Sequence, residues 1–288
     1  MRFRIACYQF SPTKGDKEAN LDRVAGAIRK AAEEQVELLA FPETCTTGYF
    51  LEGGVAEQAD TQHELAASLE RRLAGKLSKP VDAVVGFYEK EGGQLYNSAA
   101  YLESTPTGVS VRACYRKFFL PTYGVFDEAR FVAPGNSLGL VRSRLGTVGL
   151  LICEDLWHSL LGDLLALQGA SILVVPSASP ARGFSNPEVG NLSHYKRMLG
   201  GICGEHGVFG MNPQLCGFEG GKGFVGQSFI VGPLGDVIAC SESWDEAMVI
   251  SEYDSEIVAV CQTNLPLLRD LRARWRELQS IISQIPEA

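Results

Sequence analysis

The sequence lacks the features that mark membrane, secreted and nucleic-acid-binding chains. No apolar run among its 288 residues approaches the ~20 residues that a membrane helix needs. No long basic stretch occurs and the formal net charge is -8, so a nucleic-acid backbone is not an expected partner. The first segment, MRFRIACYQF, has neither the apolar core nor the small-residue cleavage site of a signal peptide. We therefore expect a cytoplasmic protein without a membrane or nucleic-acid partner.

Cysteine pairs and metal-ligand spacings are also absent. The eight cysteines are scattered and include no C-x-x-C pair, which argues against a disulfide framework in a chain of this length. The four histidines do not lie at ligand spacing from one another or from a cysteine, so no zinc site is predicted. Most of the cysteines are expected to be small buried apolar residues.

The glycine-rich segment near residue 222 does not carry a nucleotide loop. Gly221, Gly223 and Gly226 fit G-x-G-x-x-G, but that fingerprint needs a helix after it, and the following QSFIVG is typical of a strand. A P-loop at Lys222 would need an earlier glycine and a following Ser or Thr, and both are missing. We predict a glycine-rich turn here.

Apolar strands and amphipathic helices alternate along most of the chain. The predicted strands are 4–10, 36–41, an antiparallel meander within 82–117, 147–153, 171–176, 208–212 and a second hairpin series within 224–253. The predicted helices are 17–35, 61–79, 157–168, 187–205 and a helical carboxyl terminus. This order predicts one α/β domain over 1–288 with mixed sheets covered by helices, and 263–288 as a helical extension.

Cys153 stands where a predicted strand gives way to a predicted helix, in GLLICEDLWH (149–158). Open α/β sheets bind ligands at the carboxyl ends of their strands, and a helix amino terminus lowers the pKa of a thiol. Glu154 and Asp155 follow at once, however, and nearby negative charge makes a thiolate harder to form. A reactive Cys153 therefore needs a positive charge and a proton acceptor from elsewhere, and without them it is a buried cysteine at a strand end.

Two other strand ends carry ionisable side chains among apolar neighbours. Glu43 follows Phe41 and Pro42, and Lys117 comes directly before Phe118, with Glu128 further on in the same segment. Each could be a solvated surface group, but ionisable groups in such surroundings are often buried and perturbed. Lys117 could supply the positive charge and Glu43 the proton acceptor that Cys153 lacks.

Three motifs resemble those of the carbon–nitrogen hydrolase (nitrilase) superfamily and occur in the family order: FPETCTTGY, YRKFFLPTYGVFDEARFVAPG and LLICEDLW. The resemblance extends to VVPSASP and GQSFIVGPLGDVIA and covers essentially the whole chain. It implies a four-layer α-β-β-α sandwich that pairs through its helical faces, so we expect a homodimer or a higher homo-oligomer. It implies no metal or organic cofactor.

The resemblance also implies roles for individual residues. Glu43, Lys117 and Cys153 match the catalytic triad, and Glu128 matches a second glutamate that positions the lysine and the substrate. In family terms, Cys153 attacks the carbon of an amide or nitrile, and Glu43 moves the proton. Lys117 and the backbone N–H of Glu154 hold the oxyanion. The implied partner is a small-molecule amide.

Within the superfamily, CEDLW, YGVFDE and SASP resemble the glutaminase domain of glutamine-dependent NAD synthetases. Those enzymes continue into an ATP-using domain with an S-G-G-x-D-S loop, which this sequence lacks, and MNPQLCGFEGGKGF (211–224) departs from the expected V-N-x-x-G-G. We therefore expect a free-standing amidase acting on a linear amide, a small neutral or zwitterionic one given the pI of about 5.2. A nitrilase and a catalytically silent partner subunit are the alternatives.

Overall fold

The computed structural model describes residues 1–183 and 189–286, and its strands are mostly collected in two sheets. The strands are β1 (Arg2–Gln9), β2 (Val36–Ala40), β3 (Val81–Glu91), β4 (Gln94–Thr105), β5 (Gly108–Arg116), β6 (Gly139–Ser143), β7 (Gly146–Leu150), β8 (Ile172–Val174), β9 (Phe209–Asn212), β10 (Phe218–Glu219), β11 (Lys222–Gly223), β12 (Phe229–Val231), β13 (Val237–Cys240) and β14 (Ala247–Asp254). The helices are α1 (Lys17–Glu33), α2 (Val55–Gln58), α3 (Gln62–Leu73), α4 (Ser159–Leu167), α5 (Gly190–His206), α6 (Ser255–Asn264), α7 (Leu267–Ala273) and α8 (Trp275–Ile282).

The two six-stranded sheets repeat one pattern of strand directions. The first sheet has the order β14-β1-β2-β3-β4-β5, and the second has the order β13-β12-β9-β8-β7-β6. In the first, β2 is parallel to both β1 and β3; in the second, β8 is parallel to both β7 and β9; the remaining pairs are antiparallel. Parallel central strands place their carboxyl ends at one edge, where the loops that follow them can meet.

The sheets pack face to face, and helices cover their outer faces. Side chains alternate along β1, because successive residues of a strand point to opposite faces. Ile5 and Cys7 join the cluster between the sheets, whereas Ala6 joins the cluster that includes Leu21 and Ile28 of α1. Helices α4 and α5 cover the second sheet in the same way. The predicted four-layer α-β-β-α sandwich is confirmed.

The predicted helix 61–79 is right at its beginning and too long at its end. Thr61 and Glu64 form a reciprocal capping box that fixes the start of α3. The helix ends at Leu73, because Ala74 leaves the helical region and Gly75 takes a positive φ of 67°.

The predicted hairpin series within 224–253 is wrong for its last strand. Strands β12 and β13 pair as a hairpin, but β14 crosses to the first sheet and pairs antiparallel with β1. The Gln9 side chain fixes this crossing, since its Nε2 donates to the carbonyls of Ser243 and Asp245 just before β14. Its Oε1 accepts from the backbone N–H of Ser228, directly before β12 of the other sheet.

The carboxyl-terminal part is helical, as predicted. The predicted extension 263–288 begins in the last turn of α6, and its residues 287 and 288 lie outside the described part. Leu268 of α7 is buried, and the Arg272 guanidinium donates to the carbonyls of Ala166 and Leu167 at the end of α4. None of the described helices is both long and apolar enough to cross a membrane.

Candidate active site

Glu43, Lys117 and Cys153 are all buried where three strands end. Glu43 follows β2, Lys117 follows β5 and Cys153 follows β7. Their exposed fractions are 0%, 1% and 6%. The alternatives of a solvated loop carboxylate and a surface lysine are therefore wrong, and burying such groups requires that they be paired.

The Lys117 ammonium lies between two carboxylates. Its Nζ donates to Glu43 Oε1 at 2.7 Å and to Glu128 Oε1 at 2.6 Å. Glu43 is held further by Asn97 Nδ2, at 2.7 Å from Oε1, and by the backbone N–H of Ala178, at 2.8 Å from Oε2. Three donors from separate buried segments thus converge on one carboxylate, which gives Glu43 a fixed orientation.

Lys117 and Glu128 have strongly perturbed pKa values. Burial lowers the pKa of Lys117, but the charges of Glu128 and Glu43 outweigh it and raise this pKa well above its ordinary value. Burial raises the pKa of Glu128 to about 7, against the opposing charge of Lys117. Tyr49 donates its hydroxyl to Glu128 Oε1, whereas the buried Oε2 has no hydrogen-bond partner in the described protein. This oxygen is one of the buried acceptors left free among the described residues of the site.

Cys153 occupies a tight turn rather than the first turn of an α-helix. Its φ is 48°, in the left-handed region that costs energy for a residue with a Cβ, and its N–H donates to the Pro176 carbonyl at 2.9 Å. A single 3-10 turn runs from Cys153 to Trp157, and α4 begins only at Ser159. The predicted helix 157–168 is right, but it does not begin at the cysteine.

The expectation that a helix amino terminus lowers the thiol pKa is wrong. Burial raises the pKa of Cys153 well above its ordinary value, and the charge of Glu43 raises it further. The charge of Lys117 opposes both without overcoming them. Cys153 is therefore a thiol at rest, and any reaction at its sulfur must remove the proton as the new bond forms.

The carboxylate of Asp155 ties the turn of Cys153 to the segment of Lys117. Its two oxygens accept from the hydroxyl of Tyr115 at 2.8 Å and from the backbone N–H groups of Ile152, Phe118 and Phe119 at 2.9, 3.1 and 2.9 Å. Burial raises its pKa to about 6, although the backbone donors lower it. Glu154 is only partly buried, and its Oε2 accepts from the Tyr123 hydroxyl at 2.8 Å. The two acids after Cys153 thus have separate partners.

The hydroxyl of Tyr195 contacts the sulfur of Cys153. Tyr195 comes from α5 and is 1% exposed, and its Oη lies 2.9 Å from Sγ. Trp157 forms a hydrogen bond to Tyr195, and an indole N–H can only donate. The Tyr195 oxygen therefore accepts from Trp157, and its proton is available to the sulfur. Sequence reasoning missed Tyr195, because it lies on a separate helix outside the three motifs.

Gly86 allows the loop of Glu43 to lie directly on β3. A Cβ at this position would clash with the Pro42 carbonyl oxygen and would come within 2.7 Å of Thr44 N and 2.8 Å of Glu43 Cα. Such distances do not occur between real side chains and backbone, so the loop depends on glycine here.

The glycine-rich turn also serves the site through the side chain of Glu219. Strands β10 and β11 form a short hairpin, and no helix follows it, which confirms that the segment is a turn and not a dinucleotide loop. The buried Glu219 on this hairpin accepts from the backbone N–H groups of Tyr49 and Phe50 at 2.8 and 3.0 Å. It therefore positions Tyr49, the donor to Glu128.

A cavity of about 460 Å³ opens beside Glu128 and Tyr49. Apolar and aromatic side chains form much of its wall, among them Phe50, Val55, Tyr88, Val125 and Phe126. This volume is of the size that small-molecule sites have.

Comparison with known proteins decides the family. The carbon–nitrogen hydrolase family model matches residues 4–263. The chain belongs to the carbon–nitrogen hydrolase family. The resemblance seen in the three motifs is confirmed, and the architecture of this carbon–nitrogen hydrolase is that of nitrilase-superfamily proteins.

Three relatives show the range of the family around this carbon–nitrogen hydrolase. It is 32% identical over 257 residues to the glutamine-dependent NAD(+) synthetase of Acinetobacter baylyi, covering 88% of this chain and 44% of that protein. It is 26% identical to the N-carbamoylputrescine amidase of Oryza sativa subsp. japonica, covering 93% and 91%. A nitrilase-superfamily amidase of Nesterenkonia sp. AN1 superposes with a TM-score of 0.74 at 25% identity, covering 96% and 99%; a structure of its glutamate-to-glutamine mutant shows the result of Michael addition of acrylamide at the active-site cysteine.

One group of possible metal ligands lies outside the residues described above. Asp163, Glu205 and His206 place one ligand atom each within 4.8 Å of one another on α4 and α5. His206 Nε2 and Asp163 Oδ1 already form a hydrogen bond of 2.9 Å. None of the three belongs to the Glu43–Lys117–Cys153 group.

Proposed function

We propose that this chain hydrolyses the C–N bond of a small linear amide, with Cys153 as the nucleophile, and releases ammonia and a carboxylic acid. The observation that carries the proposal is the buried ammonium of Lys117, held between Glu43 and Glu128 beside the turn of Cys153. A charged lysine is costly to bury and serves no packing purpose, whereas it stabilises an oxyanion well. The amidases among the relatives support the same chemistry.

The first half-reaction forms a thioester. The sulfur of Cys153 attacks the amide carbon while its proton passes to Glu43, because burial and the charge of Glu43 raise the pKa of the thiol. The Lys117 ammonium and the backbone N–H of Glu154 hold the oxyanion. Glu43 then gives the proton to the amide nitrogen, the C–N bond breaks, and ammonia leaves.

The second half-reaction consumes water. Glu43 takes a proton from a water molecule, and the resulting hydroxide adds to the thioester carbon while Lys117 again holds the oxyanion. The C–S bond breaks, the acid leaves, and the proton returns to the sulfur of Cys153. Glu128 keeps Lys117 in place, and its unpartnered Oε2 positions the substrate.

A matched pair of substrates tests amide against nitrile. A nitrile would form a thioimidate that must add water before ammonia can leave, whereas an amide forms the oxyanion at once. We expect an amide to exceed the nitrile of the same acyl group in kcat/KM for ammonia release. If the nitrile has the higher kcat/KM for several acyl groups, the protein is a nitrilase and the amidase proposal is wrong. Absence of turnover on every amide and nitrile would favour a silent partner subunit.

Glutamine is one candidate amide, because several relatives are glutamine-dependent NAD(+) synthetases. The chain spans less than half the length of these relatives, with 44% of the first. We therefore propose only amide hydrolysis for this chain.

We also propose that two copies pair through their helical faces. The helices α6 to α8 expose apolar side chains that water does not favour, namely Ile257, Val260, Leu267, Ile281 and Ile282. Light scattering at micromolar concentration should give the mass of a dimer or a larger assembly. A monomer would contradict this proposal and leave the hydrolytic one unaffected.

A further inference from the structure

A second cavity, of about 360 Å³, has a positively charged lining in a protein whose formal net charge is -8. Among the described residues, its charged lining residues are Arg182 and Lys222, with neither Asp nor Glu. The remaining wall is small or apolar: Gly124, Val125, Phe126, Pro180, Ala181, Gly221 and Gly223. A local field of this sign attracts an anion whatever the charge of the whole chain.

Aromatic rings hold the Arg182 guanidinium in place. Its carbon lies 5.6 Å from the ring centre of Tyr123, 5.4 Å from that of Phe126 and 5.5 Å from that of Trp157. The Arg182 backbone N–H also donates to Asn191 Oδ1 at 3.1 Å. Ring faces stabilise a cation and restrict its motion without neutralising it. One N–H group of the guanidinium donates to the Tyr123 hydroxyl oxygen, and the charge and the other donor groups of Arg182 remain available to a ligand.

Lys222 is held in a similar way, with its Nζ 4.4 Å from the ring centre of Phe50. Within residues 1–183 and 189–286, no carboxylate forms a salt bridge with Arg182 or with Lys222. The acids of the neighbouring cavity are already engaged: Glu128 binds Lys117, and Asp127 lies 3.9 Å from Arg130. Two cations therefore face the same space without a described counter-ion.

This cavity adjoins the cavity beside Glu128. It shares Val125, Phe126 and Lys222 with the cavity that opens beside Glu128. On the other side, Trp157 lies between Arg182 and Tyr195, whose hydroxyl contacts the sulfur of Cys153. Phe126 and Trp157 therefore each contact Arg182 on one side and, on the other, a tyrosine of the site, Tyr49 or Tyr195.

We propose that Arg182 and Lys222 form a carboxylate-binding subsite, so that the substrate is a linear amide with a carboxylate at the end remote from the C–N bond that breaks. This rests on the proposed hydrolase function and narrows its substrate class. The planar guanidinium matches a carboxylate with two parallel N–H donors, and the lysine adds a second charge. The acidic pI would favour neutral amides if the negative charge were spread evenly over the protein. At this cavity the local charge is positive.

Three matched pairs of amides test the subsite by ammonia release: succinamate against butanamide, glutaramate against pentanamide, and adipamate against hexanamide. The wild-type protein should favour the carboxylate-bearing member of at least one pair by about tenfold or more in kcat/KM, the size of a charge-assisted hydrogen bond. Arg182→Met should lower this ratio by about tenfold, and Lys222→Met should lower it less. The control Arg142→Met removes the same charge from an exposed position outside both cavities and should leave the ratio unchanged.

Binding to the Cys153→Ala protein separates this proposal from the hydrolytic one. Calorimetry should show that the preferred carboxylate amide binds Cys153→Ala, and that adding Arg182→Met weakens this binding by about tenfold. Charge-selective binding without ammonia release by the wild type would keep the subsite and overturn the hydrolase. Ammonia release that is equal within all three pairs, or a ratio unchanged by Arg182→Met, would overturn the subsite and keep the hydrolase.

Discussion

The carboxylate of Asp155 accepts a hydrogen bond from the backbone N–H of Phe119 at 2.9 Å, and this bond joins the turn of Cys153 to the segment of Lys117. The acid that follows the cysteine so closely is thus a structural tie, whose two oxygens accept from four donors. The three motifs of the family meet because such buried polar groups connect them.

Asp155→Asn should destabilise the protein and reduce its activity together. An amide cannot accept through its nitrogen, so at least one of the four donors to Asp155 loses its partner, at a cost of about 1–3 kcal/mol. Urea unfolding and kcat for ammonia release measure the two effects. Glu154→Gln changes the neighbouring, partly exposed acid and should leave the free energy of unfolding nearly unchanged. Equal effects of the two substitutions would contradict the role of Asp155.

The wild type and Asp155→Asn should also differ in how their unfolding free energies depend on pH. The pKa of Asp155 is raised from its ordinary value of 3.8 to about 6, so the unfolded chain loses this proton at a lower pH than the folded one. The contribution of Asp155 to stability should therefore fall as the pH rises from about 4 to 6. The difference in unfolding free energy between the wild type and Asp155→Asn measures the contribution of Asp155. A difference that rises across this window would contradict the raised pKa.

Acrylamide should modify Cys153 ahead of more exposed cysteines. Burial raises the pKa of Cys153, so a simple alkylating agent has no reason to prefer it over the partly exposed Cys261. An amide that carries an electrophilic carbon can instead use the oxyanion donors and the base of the site. Peptide mapping of the wild type should find the adduct at Cys153, with loss of activity in step, and Cys261→Ala should behave like the wild type. Loss of activity in step with labelling of a different cysteine would contradict the assignment of Cys153 as the nucleophile.

Tyr195→Phe should lower kcat by about tenfold, the value of one hydrogen bond to a charged sulfur, and change KM little. The variant should also shift the pH profile of Cys153 alkylation to higher pH, because the thiolate loses its donor. Tyr101→Phe is the matched control: Tyr101 is buried too, and its hydroxyl donates to Asp82. A structural role alone would lower the stability of both variants and leave the alkylation profile of Tyr195→Phe unchanged.

Gly86→Ala adds only one methyl group but should reduce activity strongly. The new Cβ must displace the loop that carries Glu43, and an error of even 1 Å in a catalytic group is costly. Gly201→Ala adds the same methyl group to an open position on α5 and should be neutral or slightly stabilising. Measurement of kcat and of the melting temperature separates the two effects, and full activity in Gly86→Ala would contradict the positioning of Glu43.

The sequence predicts the fold and the converging residues well, and the reasons are physical. Apolar periodicity shows β2, β5 and β7, and the charged residues at their ends stand out because they interrupt apolar segments. Tyr195 and Gly86 were not predicted, since each meets the site through tertiary contacts that leave no local pattern. The thiol pKa was predicted with the wrong sign, because burial and the charge of Glu43 depend on the packed structure. Residues 187 and 188 of the predicted helix 187–205 lie outside the described residues.

Trapping the acyl-enzyme tests the central claim most directly. A wild-type protein mixed with a primary amide that it turns over, and quenched within one turnover, should gain the mass of the acyl group. Fragmentation should place that mass on Cys153, and Cys153→Ala should show neither the added mass nor ammonia release. Ammonia release that persists in a folded Cys153→Ala protein, or an acyl group found on another residue, would contradict the account.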